Sequence, residues 1–109
     1  MAEISDILTS LLERSKQDKI NWQLTANEFL FLAVLGKTSV TIEELSIERN
    51  MILRIRNQEG REIESLSTWP LMIEEQDKQL RELYREARRV ALGVESQLDE
   101  LLKELETGT

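Results

Sequence analysis

The apolar residues of this chain recur at two periods. Over Ala2 to about Gln17, Ile4, Ile7, Leu8, Leu11 and Leu12 fall at helical spacing with polar residues between them, which predicts an amphipathic helix over residues 2–17. That pattern runs out in Ser15-Lys16-Gln17-Asp18-Lys19, ahead of Ile20 and Trp22. From about Asn27 to Ser67 the period becomes two, the signature of strands with one face in a core and the other in water.

Two hairpins are readable within that stretch. Phe29 to Leu35 leads into Gly36-Lys37, and Thr38 to Ile47 follows. A two-residue Gly-X loop predicts a type II′ turn, because glycine accepts a positive φ at the first central position. The resulting register opposes Leu35 to Thr38, Ala33 to Val40 and Phe31 to Ile42 on one face, and Val34 to Ser39, Leu32 to Thr41 and Leu30 to Glu43 on the other. In the second hairpin, Met51, Leu53 and Ile55 alternate with Ile52, Arg54 and Arg56, ahead of Gly60 and Arg61-Glu62-Ile63-Glu64. A two-residue loop at Glu59-Gly60 would set Ile55 against Glu64. A three-residue loop, Gln58 to Gly60, pairs Ile55 with Ile63, Arg56 with Glu62 and Arg54 with Glu64, keeping apolar groups together and opposing unlike charges. It also puts Gly60 at the left-handed position of a G1 bulge, and this is the expected register.

Trp69-Pro70 marks a loop or first helical turn, and a helix is expected over residues 73–92. Glu74, Glu75 and Asp77 near its start and Arg85, Arg88 and Arg89 near its end complement the macrodipole. Gly93 is placed to stop it, and Ser96-Gln97-Leu98-Asp99 resembles a capping box that opens a last helix over residues 97–106. The rival is one continuous helix, since Leu80, Tyr84, Ala87, Ala91, Val94, Leu98, Leu101 and Leu105 make an unbroken 4-3 stripe that a helical glycine would interrupt at roughly 1 kcal/mol. A glycine followed by a fresh cap is two signals against one, which favours the break. The fold class is thus α+β: an N-terminal helix, a four-stranded antiparallel sheet of two consecutive hairpins, and one long or two shorter C-terminal helices in a single domain over 1–109. Its inner sheet face (Phe31, Ala33, Val40, Ile42, Leu53, Ile55 and Ile63) is expected to pack on Leu80, Leu83, Tyr84 and Ala87, with Leu98, Leu101 and Leu102 joining them.

Composition narrows the chemistry. The 109 residues include no histidine and no cysteine, which removes the usual neutral-pH general base, the thiolate nucleophile and the common zinc and iron–sulfur ligands. No phosphate-binding glycine loop, nucleophile elbow or EF-hand loop occurs. Adjacent carboxylates such as Glu43-Glu44, Glu74-Glu75 and Asp99-Glu100 point to different faces of their elements, so they are not preset as acid and base. An enzyme is not expected, nor is any cofactor, metal or small-molecule ligand. The longest apolar run, Phe29 to Leu35, is seven residues, against about 20 for a membrane span. With no leader-like segment and no cysteine, a cytoplasmic protein is expected. The net charge of −7 is spread over both halves and makes nucleic acid or an anionic membrane a poor partner.

Two surface features point towards a protein partner or a second copy of the chain. Arg81, Arg85, Arg88 and Arg89 line one helix as a candidate contact for an anion or acidic partner, though Asp77, Glu82 and Glu86 are spaced to neutralise them. Leu30, Leu32 and Val34, with Ile52, form an apolar row on the sheet face that otherwise carries Ser39, Thr41, Glu43, Arg54 and Arg56. Either the N-terminal helix covers that row as a second small core or it is an interface. Trp22 and Trp69, at the joints between helix and sheet, are expected to plug the core edge, the alternative being interface anchors.

Trp22, Phe29-x-x-x-Ala33-x-x-Gly36-x-x-Ser39-Val40-x-Ile42, Gly60-x-x-Ile63-Glu64 and Leu83-Tyr84-x-x-Ala87-Arg88-x-x-Ala91-Leu92-Gly93-Val94 together resemble small uncharacterised bacterial α+β proteins. The resemblance runs over most of the chain on turn glycines and core positions, and it implies no activity, cofactor or catalytic residue. The expected function is a non-catalytic interaction or accessory role through the sheet face or the C-terminal helix. A regulatory, antitoxin-like protein that neutralises a basic partner is one alternative and a carboxylate-dependent enzyme another. Gly60→Val should destabilise the fold by roughly 1–3 kcal/mol through strain at a positive φ, and an unchanged denaturant midpoint would refute the second hairpin's turn.

Overall fold

The computed structural model describes residues 2–45, 50–68 and 74–107. The order is α1 (Ile4–Lys16), β1 (Gln23–Leu24), β2 (Leu30–Leu35), β3 (Thr38–Glu44), β4 (Met51–Arg56), β5 (Glu62–Ser67), α2 (Glu74–Leu92) and α3 (Val94–Thr107). The strands form an antiparallel meander in the order β1-β2-β3-β4-β5. The sheet therefore has five strands, not four. The added edge strand is short: Gln23 pairs with Leu32 and Leu24 with Phe31. Its return is made by Thr25 Oγ1, which donates to the carbonyls of Asn27 and Leu30, and by Asn27 Oδ1, which accepts the Phe29 N–H. Trp69, Pro70 and residues 46–49, where the third strand was expected to reach Ile47, lie outside the described residues.

The first hairpin has the expected register at all six pairs from Leu35↔Thr38 to Leu30↔Glu43. Gly36 takes a φ of 63° while Lys37 stays out of the positive region, as a type II′ turn requires. The second hairpin is more interesting. Its turn is the expected three-residue loop: Asn57 N–H donates to the Arg61 carbonyl, Gly60 N–H donates to the Asn57 carbonyl, and Gly60 has a φ of 83°. Arg56 opposes Glu62, but a bulge follows, so Ile55 faces Glu64 and Arg54 faces Ser65. The expected Ile55–Ile63 and Arg54–Glu64 pairs do not form. Ile63 is the extra residue and is 57% exposed, so it stays out of the core and lies at its open edge, beside Val40 and Ile55. The shift has a reason further along: it sets Leu66 opposite Leu53, on the core side, where an unbroken register would have pointed Leu66 outwards. Beyond it, buried Thr68 locks the start of β4, its N–H donating to the Met51 carbonyl and its Oγ1 accepting the Met51 N–H.

One cluster of buried apolar residues joins α1 (Leu8, Leu11, Leu12), the inner sheet face (Phe31, Ala33, Val40, Ile42, Met51, Leu53, Ile55) and α2 (Leu80, Leu83, Ala87), with Ile20 and Trp22 at its edge. Each fully buried large side chain contributes about 1.5–3 kcal/mol, well above the 0–1 kcal/mol of a surface ion pair. Helix α1 thus packs on the inner side beside α2, and the second-core expectation does not hold. Trp22 plugs the joint, 2% exposed, its indole N–H donating to Ser15 Oγ at 2.9 Å.

Helix α2 stops at Leu92, and Gly93 turns the chain with a φ of 62°. The break is therefore where expected, but α3 starts at once at Val94 rather than at residue 97, with the Gln97 N–H donating to the Gly93 carbonyl. Ser96 is inside the helix and caps nothing. None of the residues of α3 is buried, so the expected packing of Leu98, Leu101 and Leu102 on the sheet does not occur.

Trp22→Phe should cost about 1–3 kcal/mol in urea denaturation, because the buried Ser15 hydroxyl loses its partner. Adding Ser15→Ala should recover part of that loss, and a wild-type midpoint for Trp22→Phe alone would show that the hydrogen bond carries no weight.

Candidate functional site

With α1 and α2 on one side, the other side of the sheet is open. The candidate row lies there: Leu30, Leu32 and Ile52 are half-buried among neighbouring side chains, and Val34 is 60% exposed. The polar residues beside them are tied to one another. Arg54 bridges Glu43 at 2.9 Å and Glu62 at 3.2 Å, Asn27 Nδ2 donates to Glu43, and Arg56 Nη1 donates to the hydroxyl of buried Thr41. The face is a neutral, self-satisfied network with one apolar strand along it, and only Val34 of the four candidates is more than half exposed.

The arginine stripe is divided. Arg81 is paired with Asp77 at 3.2 Å, one helical turn away. Arg89 is consumed inside the fold: it reaches Asp18 at 2.7 Å, Glu95 at 2.9 Å, Glu86 at 3.2 Å and the Ser15 carbonyl at 3.3 Å. These partners, Asp18 first, hold its guanidinium protonated well above the ordinary arginine range. Arg85 and Arg88 are exposed, so two of the four guanidinium groups remain available at the surface. Tyr84, tilted against Phe31 with ring centroids 5.5 Å apart, has its phenol pushed up by burial and by Glu44, with Arg88 opposing and Glu28 adding to the rise.

Two further apolar surfaces are present, a groove that the sequence did not suggest and the C-terminal helix, which was expected to act as a whole but without named contact residues. An open groove of about 730 Å³ runs between the start of α1 and the hairpin tips, lined by Ile4, Ile7, Leu35, Val40, Ile55 and Ile63, with Glu3 and Glu64 in its wall. The second surface is α3, where Leu98, Leu101, Leu102 and Leu105 are between 54% and 63% exposed. They occupy one face at i, i+3, i+4 and i+7 spacing, continuing from Val94. The signal for α3 was present in the 4-3 stripe, but spacing does not distinguish a helix face that meets the core from one that leaves it.

Among the described residues no group of three or more aspartates and glutamates is placed to hold a metal ion, and no buried side-chain nitrogen or oxygen lacks a hydrogen-bond partner. Among the same residues no helix is long and apolar enough to cross a membrane. No protein-family model, curated protein or solved structure matches the chain.

Leu32→Glu should leave a folded protein with a cooperative thermal transition, since its side chain lies on the uncovered sheet face and at most about 1–2 kcal/mol of burial is lost. Unfolding of this variant would mean that the outer face is a second core after all.

Proposed function

We propose that this is a non-catalytic interaction protein whose docking element is α3, carried by a helix–sheet body that serves as its mount. A cytoplasmic setting suits a chain without cysteine. The observation that carries the reading is the row of four leucines, each more than half exposed on one helix face. A 14-residue helix is marginal on propensity alone and draws most of its stability from covering its apolar face. Among the described residues none buries the apolar face of α3. Contiguous apolar surface of this kind, rimmed by polar residues, is how soluble proteins present a partner site, and an amphipathic helix laid into a groove is a common form of such recognition. The sheet face is the weaker candidate, because its polar residues are already satisfied by each other.

Affinity capture from the native host with the wild-type chain, Leu32→Glu and Leu98→Gln/Leu101→Gln should separate the two surfaces. The α3 double variant should keep the wild-type melting temperature and lose the captured partner, while Leu32→Glu retains it. Loss with Leu32→Glu and retention with the double variant would move the site to the sheet.

A further inference from the structure

The charge around the exposed leucines says what kind of partner α3 fits. At 100° per residue the leucines and Val94 fill one face. Glu95, Asp99 and Glu106 fall along one rim of it and Gln97 and Glu104 along the other, while Lys103, the helix's one basic residue, is on the back. Glu95 is already held by Arg89, which leaves Asp99, Glu106 and Glu104 at the rims. A second feature concerns the helix end. Helix α1 has Asp6 in its first turn and Arg14 and Lys16 in its last, and α2 has Glu74, Glu75 and Asp77 first and Arg89 last, so both match the macrodipole. Helix α3 has no basic residue in its last turn and carries Glu104 and Glu106 there, against the dipole. Free in solution, its carboxylates repel each other and the carbonyl end of their own helix.

Resting on the docking role of α3, we propose that its partner is a protein presenting an apolar stripe or groove rimmed by lysine and arginine, with cations placed to meet the last turn of α3. A second copy of this chain is a poor occupant. It brings another −7, its α3 has the same acidic rims, and its apolar groove has Glu3 and Glu64 in the wall. Each of those pairings sets like charges against one another around the leucines, at separations within a Debye length. A basic-rimmed surface relieves both the rims and the frustrated helix end.

The full chain can be titrated with two synthetic amphipathic helical peptides that share a leucine face, one with lysine and one with glutamate on the rest of its surface. A scrambled lysine peptide of equal composition controls for bulk charge. The lysine peptide should bind at least about tenfold tighter than the glutamate and scrambled ones, and should weaken with salt. Leu98→Gln/Leu101→Gln should lower its affinity about tenfold or more. Asp99→Asn/Glu104→Gln/Glu106→Gln should flatten the salt dependence and narrow the gap between lysine and glutamate peptides. Equal binding of those two peptides overturns the basic rim and leaves α3 as a docking helix. So does a dimer in sedimentation that Leu98→Gln/Leu101→Gln dissolves. Binding of the lysine peptide undiminished by that double variant, or no binding by a monomeric chain, overturns the docking helix as well.

Discussion

The rest of the structure depends on taking one sheet face out of water. Phe31, Ala33, Val40, Ile42, Leu53 and Ile55 lie side by side across three strands, and burying them requires two helices on the same side. Helix α1 supplies Leu8, Leu11 and Leu12, and α2 supplies Leu80, Leu83 and Ala87. Once both helices are committed there, nothing described covers the other face, and its polar groups have to satisfy one another. Arg54 between Glu43 and Glu62, and Arg56 on Thr41, are the local solution. The same constraint explains the β5 bulge: it sets Leu66 opposite Leu53 on the covered side and leaves Ile63 at the open edge of the core.

Where α1 ends, a second constraint holds the helices in place. Its last turn closes with Asp18 N–H on the Ser15 carbonyl and Lys19 N–H on the Arg14 carbonyl, the Schellman pattern, with Asp18 itself at a φ of 59°. Glycine is the usual residue at that position, and a side chain there costs roughly 1–2 kcal/mol. The aspartate has a use that glycine would lack, because its carboxylate meets Arg89 at 2.7 Å. Arg89 also takes the Ser15 carbonyl at the negative end of α1, Glu86 on its own helix and Glu95 on α3. One guanidinium therefore joins all three helices, and Ser15 Oγ accepts the indole N–H of Trp22, the residue just before β1. The base of α3 is fixed by this junction even though its leucines touch no core.

Legibility followed the strength of the local constraint. The first hairpin was readable pair by pair because a glycine turn sets the register and a one-residue slip would have exposed every core residue. The turn of the second was readable for the same reason, and its bulge was not, because the residue that demands it, Leu66, lies outside the alternating run used to set the pairs. Strand β1 went unread although Ile20, Trp22 and Leu24 alternate with Asn21, Gln23 and Thr25. Only two of its residues pair, and the turn that follows is held by Thr25 and Asn27 side chains rather than by a glycine. The candidate sites were less legible still. Whether an arginine is free depends on a partner such as Asp18, 71 positions away, which no spacing rule reaches.

The stripe from Leu80 to Leu105 shows most plainly what spacing leaves undecided. Its rhythm is unbroken, yet Leu80 and Ala87 are fully buried while Leu98 and Leu105 stand in water. Reach accounts for part of this: strands of six residues span about 20 Å, and the 19 residues of α2 span about 28 Å, so the helix has outrun the sheet before Gly93. The glycine, at a φ of 62°, then breaks the helix, and none of the residues that follow in α3 is buried. What separates the two halves is charge. Up to Leu92 the acids and bases suit both ends of each helix, whereas α3 has Glu95 well placed in its first turn but no base in its last, where Glu104 and Glu106 stand. Among the described helices α3 alone combines an uncovered apolar face with an acidic last turn, so local pattern and local charge part from the rest of the fold at the same element.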